Sequence, residues 1–361
     1  MEASGNYQGA LFANFSGNDT PMLELSLAGY NYSHQLINQL LRKQIDFDNC
    51  GLIQLAYNQQ QIKQQQQILQ TGFAKDLCYQ LNKEQLQQIS GIPINCDSGL
   101  FYPHGLWVDP RSLVKALSTH PNITIKLNSE ICELTQLSKF NWQIKDTAGN
   151  IDYAPNVVLC NSYAINKFTQ LSQIYLRIIR GQMSMIPQLN NLKTIICANG
   201  YITPNKGNSY VIGATFKFKD LDNQIKIAEH LENINNFKDI MPQITNAIDT
   251  TNIQGKVSFR SSTTDYMPLL GPIANYDKFK IAYQDLAKDS NYWIETPCPY
   301  LTGLFVNAAH GAKGILTAPI CGEIIADYID NTQFSISEKL RFALHPNRFW
   351  RKEIITGGIA K

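Results

Sequence analysis

Two stretches of this chain combine residue types and spacing suited to chemistry. The first is Asn307-Ala308-Ala309-His310-Gly311-Ala312-Lys313-Gly314. It follows a short apolar run, Leu304-Phe305-Val306, that suits a buried strand. Beyond it, apolar residues recur at helical spacing: Ile315, Ala318, Cys321, Ile324, Ile325 and Tyr328. The layout is strand, glycine-bearing loop, helix. Two close glycines at a helix start leave backbone N–H groups unscreened. With the positive helix end they suit an anion or an electron-rich ring edge. Taken alone, such a loop reads more often as a tight turn with no ligand. The second stretch is Val257-Ser258-Phe259-Arg260-Ser261-Ser262, an otherwise apolar strand with one arginine. A buried cation needs an anionic partner. That partner is either a structural one, for instance Asp265, or the carboxylate of a substrate, which the planar guanidinium fork grips in bidentate fashion.

Other elements must position these residues. A glycine-punctuated loop, Ser4-Gly5-Asn6 and Gly9-Ala10, stands at the start with no strand before it. Helical patterns cover Leu23–Arg42, Gln60–Leu69, Lys83–Ile89 (Asn82 as its cap) and Ile225–Met241. Asp109-Pro110 offers an N-cap and a first-turn proline for a helix through Leu117. Strand patterns cover Cys50–Tyr57, Leu100–Val108, Ile123–Leu127, Ile131–Leu134, Phe140–Lys145, Asn156–Cys160, much of Ile174–Ala214, part of Gly255–Gly271, and Phe279–Tyr283. Helices at both ends bracket a β-rich middle, which predicts a nested layout with one domain inserted in another.

With 361 residues and 44% hydrophobic content, the chain has enough for one large or two ordinary globular domains. A formal net charge of +2 gives no whole-chain attraction to nucleic acid or membrane, so any such contact needs a local patch. No apolar run approaches the roughly 20 residues of a membrane span, and the N-terminal residues carry no basic start or signal-type apolar core. The eight cysteines are scattered with no CxxC pair, which argues against a zinc site and fits buried thiols in a reducing cytoplasm. The glutamine-rich run around Gln64–Gln67 is read as bias on a solvated helix face.

An ordered set of segments is similar to one family: SGNYQGALF, FYPHGLWVDPRSL, NVVLCNS, RGQMSMI, GYITP followed by VIGATF, RSSTTDYMPLLG, NAAHGAKGILTAP and ALHPNRF. Together they resemble the D-amino-acid-oxidase-type flavoproteins, and more closely the FAD-dependent oxidoreductase half of the MnmC family of bacterial tRNA wobble-uridine modification enzymes. The resemblance implies an α/β (α+β) fold with a Rossmann-like FAD-binding domain, residues 1–50, 95–165 and 300–361. An inserted antiparallel or mixed β-sheet substrate domain would occupy 51–94 and 166–299. It implies FAD as cofactor and tRNA as partner, with oxidative removal of the carboxymethyl group of 5-carboxymethylaminomethyl-(2-thio)uridine and a methyltransferase acting next.

The resemblance also carries over residue by residue. Gly311, Ala312, Lys313, Gly314, Ile315 and Leu316 match the loop that meets the flavin ring. Ser4, Gly5, Asn6, Gln8 and Gly9 match the loop near the pyrophosphate and ring, and Ile131 the backbone position that pairs with adenine. Arg260 matches the substrate-carboxylate arginine, and Tyr201 and Phe216 match positions lining the substrate side of the flavin. For Phe216, ordinary aromatic packing is an equal reading. His104 and His310 are read as structural histidines. Arg341, Arg348, Arg351 and Lys352, interleaved with Phe342, Phe349 and Trp350, read either as a tRNA contact or as a solvated amphipathic helix.

The chain departs from the family at its front. Members begin with a strand–GxGxxG–helix unit for the pyrophosphate, followed by an acid for the ribose. Nothing matching precedes Ser4, and Glu2 is too close to that loop to be the ribose acid. The expectation is an N-terminally truncated FAD domain with weak flavin binding in residues 1–361. A small-molecule amine oxidase of the glycine or sarcosine type, and an inactive flavoprotein remnant, are the rival readings.

Overall fold

A computed structural model describes residues 2–14, 20–71, 77–187, 191–204 and 209–358. The chain divides into two compact units, Met1–His120 with Ile179–Phe259, and Pro121–Ile178 with Arg260–Lys361. Each unit joins two stretches far apart in sequence.

A nine-stranded sheet organises the first unit. Its order is Lys217–Phe218, Arg177–Pro187, Ser209–Gly213, Tyr201–Thr203, Ile195–Cys197, Leu52–Leu55, Ser98–Tyr102 and Tyr79–Asn82, with Gln254–Ser262 also pairing to 177–187. Ile195–Cys197 runs parallel to Leu52–Leu55, which joins the two stretches of chain, and its neighbours on the other side are antiparallel. The two-residue period of the strands aligns Ile53, Ile196, Ile202 and Ile212 in one cross-strand row. All four are fully buried, in a core that includes Leu55, Leu86, Tyr210, Phe237 and Met241. Each such aliphatic side chain removed from water contributes about 1.5–3 kcal/mol.

The helix starts follow their caps. Asn82 Oδ1 accepts from the Gln85 amide at 2.9 Å while Gln85 Oε1 accepts from the Asn82 amide at 2.9 Å, a capping box that opens Lys83–Ser90. Asp109 accepts from the Arg111 amide at 2.8 Å and opens Pro110–Ser118. Arg180 on the 177–187 strand is fully buried and ion-paired to Glu229 of the helix Ile227–Asn235; its guanidinium also donates to the carbonyls of Asp222 at 2.5 Å and Gln224 at 2.6 Å. That set leaves little of the charge uncompensated and fixes the helix to the sheet.

In the second unit, the strand Tyr300–Ala308 lies between Val157–Leu159, parallel to it, and Leu269–Ala274, antiparallel to it. A separate antiparallel meander is formed by Ile131–Ser138, Asn141–Asp146 and Ile151–Ala154. The core packs Trp142, Leu159, Leu269, Ile273, Leu304 and Val306 against Phe349 and Trp350. The helix Gly314–Asp330 follows directly after the central strand and its loop.

The structure revises several element expectations. Phe279–Tyr283 is not a strand: Asn275 caps the helix Tyr276–Ala282, accepting from the Lys278 amide at 3.0 Å. Tyr276, Phe279 and Tyr283 then share one face, with Phe279 stacked on Tyr283 at 4.2 Å and edge-on to Trp350 at 5.8 Å. Spacing of three and four thus wins over the apparent alternation. Ile123–Leu127 forms no strand among the described residues, and its three aliphatic side chains are exposed. The helix expected over 225–241 ends at Asn235, and a new one starts on Pro242. No helix among the described residues is long and apolar enough to cross a membrane.

Candidate functional site

The second unit builds the glycine loop from its neighbours. After the strand Tyr300–Ala308, the backbone turns through positive φ at Ala309 (63°) and Gly311 (58°) before the helix begins at Gly314. His310 spans the turn. Its Nδ1 lies 2.9 Å from Thr317 Oγ1 on the helix, and its Nε2 lies 2.9 Å from the side-chain amide of Asn307 on the strand. The Thr317 hydroxyl donates to the Lys313 carbonyl at 2.9 Å, so it accepts from His310 Nδ1–H. Burial pushes the His310 imidazole down to about 4, so it is neutral and Nε2 is an acceptor. The Asn307 amide, whose two ends interchange by a half-turn, then presents its NH2. His310 is therefore a structural staple, as its sequence reading expected.

The same loop is tied to the strand that carries Arg260. The Gly311 amide donates to the Ser261 carbonyl at 2.9 Å, and Ser262 bridges His310 in antiparallel fashion. Ser261 Oγ is in turn 2.8 Å from Ser162 Oγ. Arg260 thus directly precedes the residue whose carbonyl holds the loop at Gly311.

Asp265 does not serve as the structural partner suggested for Arg260. Its two oxygens are gripped by Arg348, Nε to Oδ2 at 2.8 Å and Nη2 to Oδ1 at 3.0 Å, and Oδ1 also accepts from Thr263 Oγ1 at 2.8 Å and the Met267 amide at 3.1 Å. Burial pushes the Asp265 carboxyl up, but the Arg348 guanidinium and these donors together outweigh it and hold the group below the usual carboxylate range.

The loop has room and donors for an electron-rich ring. A Cβ at Gly314 would meet nothing nearer than His310 Cβ at 4.0 Å, and one at Gly311 nothing nearer than Ser262 Cβ at 3.9 Å. Protein packing therefore does not demand glycine at 314; close approach of a ligand would. Among the described residues, the amides of Ala312 and Gly314 have no acceptor, and the Lys313 ammonium has no ion-pair partner. Burial lowers the Lys313 pKa. Such a loop fits the ring of FAD. Ile131 opens the outer strand of the meander, paired to Asp146 and partly buried.

The first unit holds the remaining expected residues. Ser4 and Gly5 lie in a 3-10 turn, with the Gly5 amide bonded to the Glu2 carbonyl at 2.8 Å and the Asn6 amide to the Ala3 carbonyl at 3.1 Å. Asn6 Oδ1 accepts from Ser258 Oγ at 2.8 Å. Gln8 is fully buried; its Oε1 accepts from Thr203 Oγ1 at 2.9 Å and its Nε2 donates to the Pro204 carbonyl at 3.2 Å. Gly9 pairs with Val108. The side chains of Asn6 and Gln8 are thus engaged by protein groups, and Gln8 fastens this segment to the strand that carries Tyr201. The Glu2 carboxylate accepts from the Phe259 amide at 2.9 Å. Tyr201 is partly buried, opposite Cys197 and Gly213 on its neighbouring strands. Phe216 is 45% exposed and edge-on to Phe218 at 5.1 Å.

Sequence reasoning missed the parts played by Asn307, Thr317, Ser261 and Thr203. Thr317, one helical turn past Lys313, carried a faint local signal. Ser261 and Thr203 carried none, because each acts on a segment far away in the chain. In the tail, Arg348, Phe349 and Trp350 are structural rather than a surface cluster: the Arg348 side chain is 10% exposed, and both aromatics are buried.

The model of one family, the DAO family of FAD dependent oxidoreductases, matches residues 1–328. The chain belongs to that family. Its fold is that of the DAO-type FAD oxidoreductases and its cofactor is FAD. Among curated relatives, the tRNA 5-methylaminomethyl-2-thiouridine biosynthesis bifunctional protein MnmC of Pseudomonas savastanoi pv. phaseolicola is 36% identical over 366 aligned positions, covering 99% of this chain and 55% of the relative. The same-named protein of Chromobacterium violaceum is 34% identical, covering 98% and 54%. The chain spans about half the length of these curated relatives. Glycine oxidase from Geobacillus kaustophilus shares the fold with a TM-score of 0.77 at 20% identity, over 96% of this chain and 89% of that one. L-proline dehydrogenase from P. horikoshii does so with a TM-score of 0.73 at 14% identity, over 95% and 88%.

Proposed function

We propose that this DAO-family oxidoreductase acts in tRNA wobble-uridine modification. It would remove the carboxymethyl group of 5-carboxymethylaminomethyl-(2-thio)uridine and leave the 5-aminomethyl form and glyoxylate. The likeness of nearly this whole chain to about half of the MnmC proteins, at 34–36% identity, supports tRNA over a small amine as substrate. In the structure, the observation that carries the reading is the Gly311–Ser261 hydrogen bond, which seats Arg260 beside the glycine loop.

In this reading Gly311, Ala312, Lys313, Gly314, Ile315 and Leu316 hold the flavin ring. Ser4, Gly5, Asn6, Gln8 and Gly9 also contribute to holding the cofactor, and the Ile131 backbone meets the adenine. FAD, when bound, supplies the two-electron acceptor. Arg260 grips the glycine-like carboxylate of the modified base with two parallel N–H bonds, so that the N–CH2 carbon faces the ring. Tyr201 and Phe216 line the substrate side. The N–CH2 unit loses two electrons and a proton from carbon, and the nitrogen then sheds a proton to leave a C=N bond. Water adds to that carbon and the C–N bond breaks, giving the primary amine and glyoxylate. The Ala312 and Gly314 amides and the Lys313 ammonium oppose the negative charge that develops on the ring side. An amine arriving neutral requires no side-chain base.

The FAD-binding domain in this reading comprises residues 1–50, 95–165 and 300–361, and the substrate domain 51–94 and 166–299. The primary amine produced is a methyl acceptor, so a methyltransferase acts next, and the site of action is the cytoplasm. The test is nucleoside analysis of tRNA carrying the carboxymethylaminomethyl group after incubation with FAD-loaded protein. The expected result is conversion to the aminomethyl nucleoside with equimolar glyoxylate. Unchanged nucleoside would reject the proposal.

A further inference from the structure

The tail and the loop before the central strand of the second unit form a surface that neither the flavin loop nor the Arg260 clamp uses. Trp293 is 82% exposed and its neighbour Tyr292 is 51% exposed. They sit in a loop anchored by Arg351, whose Nη2 donates to the Ser290 carbonyl at 2.7 Å. Three residues of chain reach at most about 11 Å, so Trp293 lies close to that anchor. The Arg351 guanidinium also lies 6.0 Å from the centre of the Phe342 ring, which is 60% exposed. One exposed ring therefore faces Arg351, and two more follow within three residues of the carbonyl that the same arginine holds. No carboxylate pairs with Arg351 or Lys352 among the described residues. The nearby charges are otherwise partly offset. Arg341 meets Glu338 at 3.3 Å, Lys288 meets Asp285 at 3.2 Å, and the exposed Asp289 accepts from the Asn291 amide at 2.9 Å. Glu295 is exposed.

We infer that this surface binds unpaired nucleotides of an RNA loop, with bases stacked on Trp293, Tyr292 and Phe342 and a phosphate on Arg351. The inference rests on the tRNA reading above. An exposed tryptophan is costly to leave in water unless a flat partner covers it, and every base has a face that can. Arg351 keeps its Nε and Nη1 donors for phosphate oxygens while Nη2 fixes the loop. Polar residues flank Tyr292 and Trp293 in the chain (Ser290, Asn291, Thr296), which suits a wet nucleic-acid contact better than the apolar centre of a protein interface.

The experiment is an anisotropy titration of a labelled anticodon stem-loop RNA with the full chain, its Trp293→Ala, Trp293→Phe and Arg351→Gln variants, at two salt concentrations. Trp293→Ala should raise Kd by about tenfold or more, the scale of one lost stacking partner. Trp293→Phe should recover most of that, and Arg351→Gln should weaken binding and lower the salt slope by about one. Melting temperature should stay at the parent value in both Trp293 variants, whereas Arg351→Gln also releases the Ser290 carbonyl and is read through its salt slope. Parent affinity in both Trp293→Ala and Arg351→Gln overturns the inference. So does a dimer that Trp293→Ala converts to monomer with RNA affinity unchanged, which would make a second copy the occupant. Nucleoside conversion is read on the same proteins: conversion by the parent with unaltered variant affinities sinks this surface alone, whereas variant-sensitive RNA binding without conversion sinks the substrate reading and leaves the surface standing.

Discussion

Arg260→Lys keeps the positive charge and removes the planar fork. If Arg260 grips the substrate carboxylate, the variant loses the two-pronged geometry and part of the charge-assisted bonding, about 1.5–3 kcal/mol. At about 1.4 kcal/mol per tenfold, that is a loss of roughly 10- to 150-fold in kcat/KM. The fold offers an internal contrast. Asp265, five residues on, is held by Arg348 through contacts of 2.8 and 3.0 Å. Asp265→Asn removes the carboxylate from a guanidinium that is only 10% exposed, though the carboxylate side is 42% exposed, so the cost is about 2 kcal/mol rather than the full value of a buried pair. That cost falls on stability. The assay pairs stopped-flow reduction of the bound flavin under anaerobic conditions with thermal melts of both variants. Arg260→Lys should slow reduction and melt with the parent, while Asp265→Asn should melt earlier and reduce flavin at the parent rate. An Arg260→Lys protein that melts early but reduces flavin normally would make Arg260 a structural cation and refute the reasoning.

Three further outcomes follow from the structure. Gly314→Ala places a Cβ in open space at a helix start, so the melting temperature without FAD should hold or rise, while FAD affinity drops roughly tenfold from crowding of the ring; equal FAD titrations of variant and parent would show that the loop does not approach the flavin. Burial pushes His310 down to about 4, and burial with the nearby Arg348 and Arg341 charges does the same to His345. The unfolded chain takes up these protons near pH 6.5 and the folded chain does not, so stability should fall as pH drops from about 6.5 toward 4, by about 1.4 kcal/mol per pH unit per full proton; His310→Gln should flatten that slope in urea titrations, and an unchanged slope would count against the buried neutral imidazole. Leu127 is 81% exposed beside exposed Ile123 and Ile125, so Leu127→Lys should reduce light scattering on concentration without lowering the melting temperature.

What the sequence made legible was local. Asn82 three residues before Gln85, and Asp109 before Pro110, signal their helices because a cap acts within one turn. The glycine loop after Leu304-Phe305-Val306 was visible because strand, turn and helix follow one another without interruption. Periodicity failed where two periods coincide: Phe279-Lys280-Ile281-Ala282-Tyr283 alternates, yet Tyr276 and Trp350 recruit Phe279 and Tyr283 to one helical face. It failed again at Ile123–Leu127, where an alternating segment finds no partner strand among the described residues. Tail composition could not tell Arg348, held by Asp265, from Arg351, which faces the exposed Phe342 ring, because burial is a tertiary property. Gln8 with Thr203 and Gly311 with Ser261 are pairings across 195 and 50 residues, and no local signal announces them.

On the proposed reading, a flavin oxidoreductase site with Arg260 beside its ring loop takes the wobble-uridine side chain of tRNA. The most direct measurement is a single-turnover experiment: FAD-loaded protein is mixed anaerobically with tRNA bearing 5-carboxymethylaminomethyl-2-thiouridine, and separately with glycine and sarcosine, while the flavin absorbance is followed. Stoichiometric bleaching is expected with the tRNA, and little or none with either free amine. Bleaching by glycine or sarcosine with none by the tRNA would contradict it.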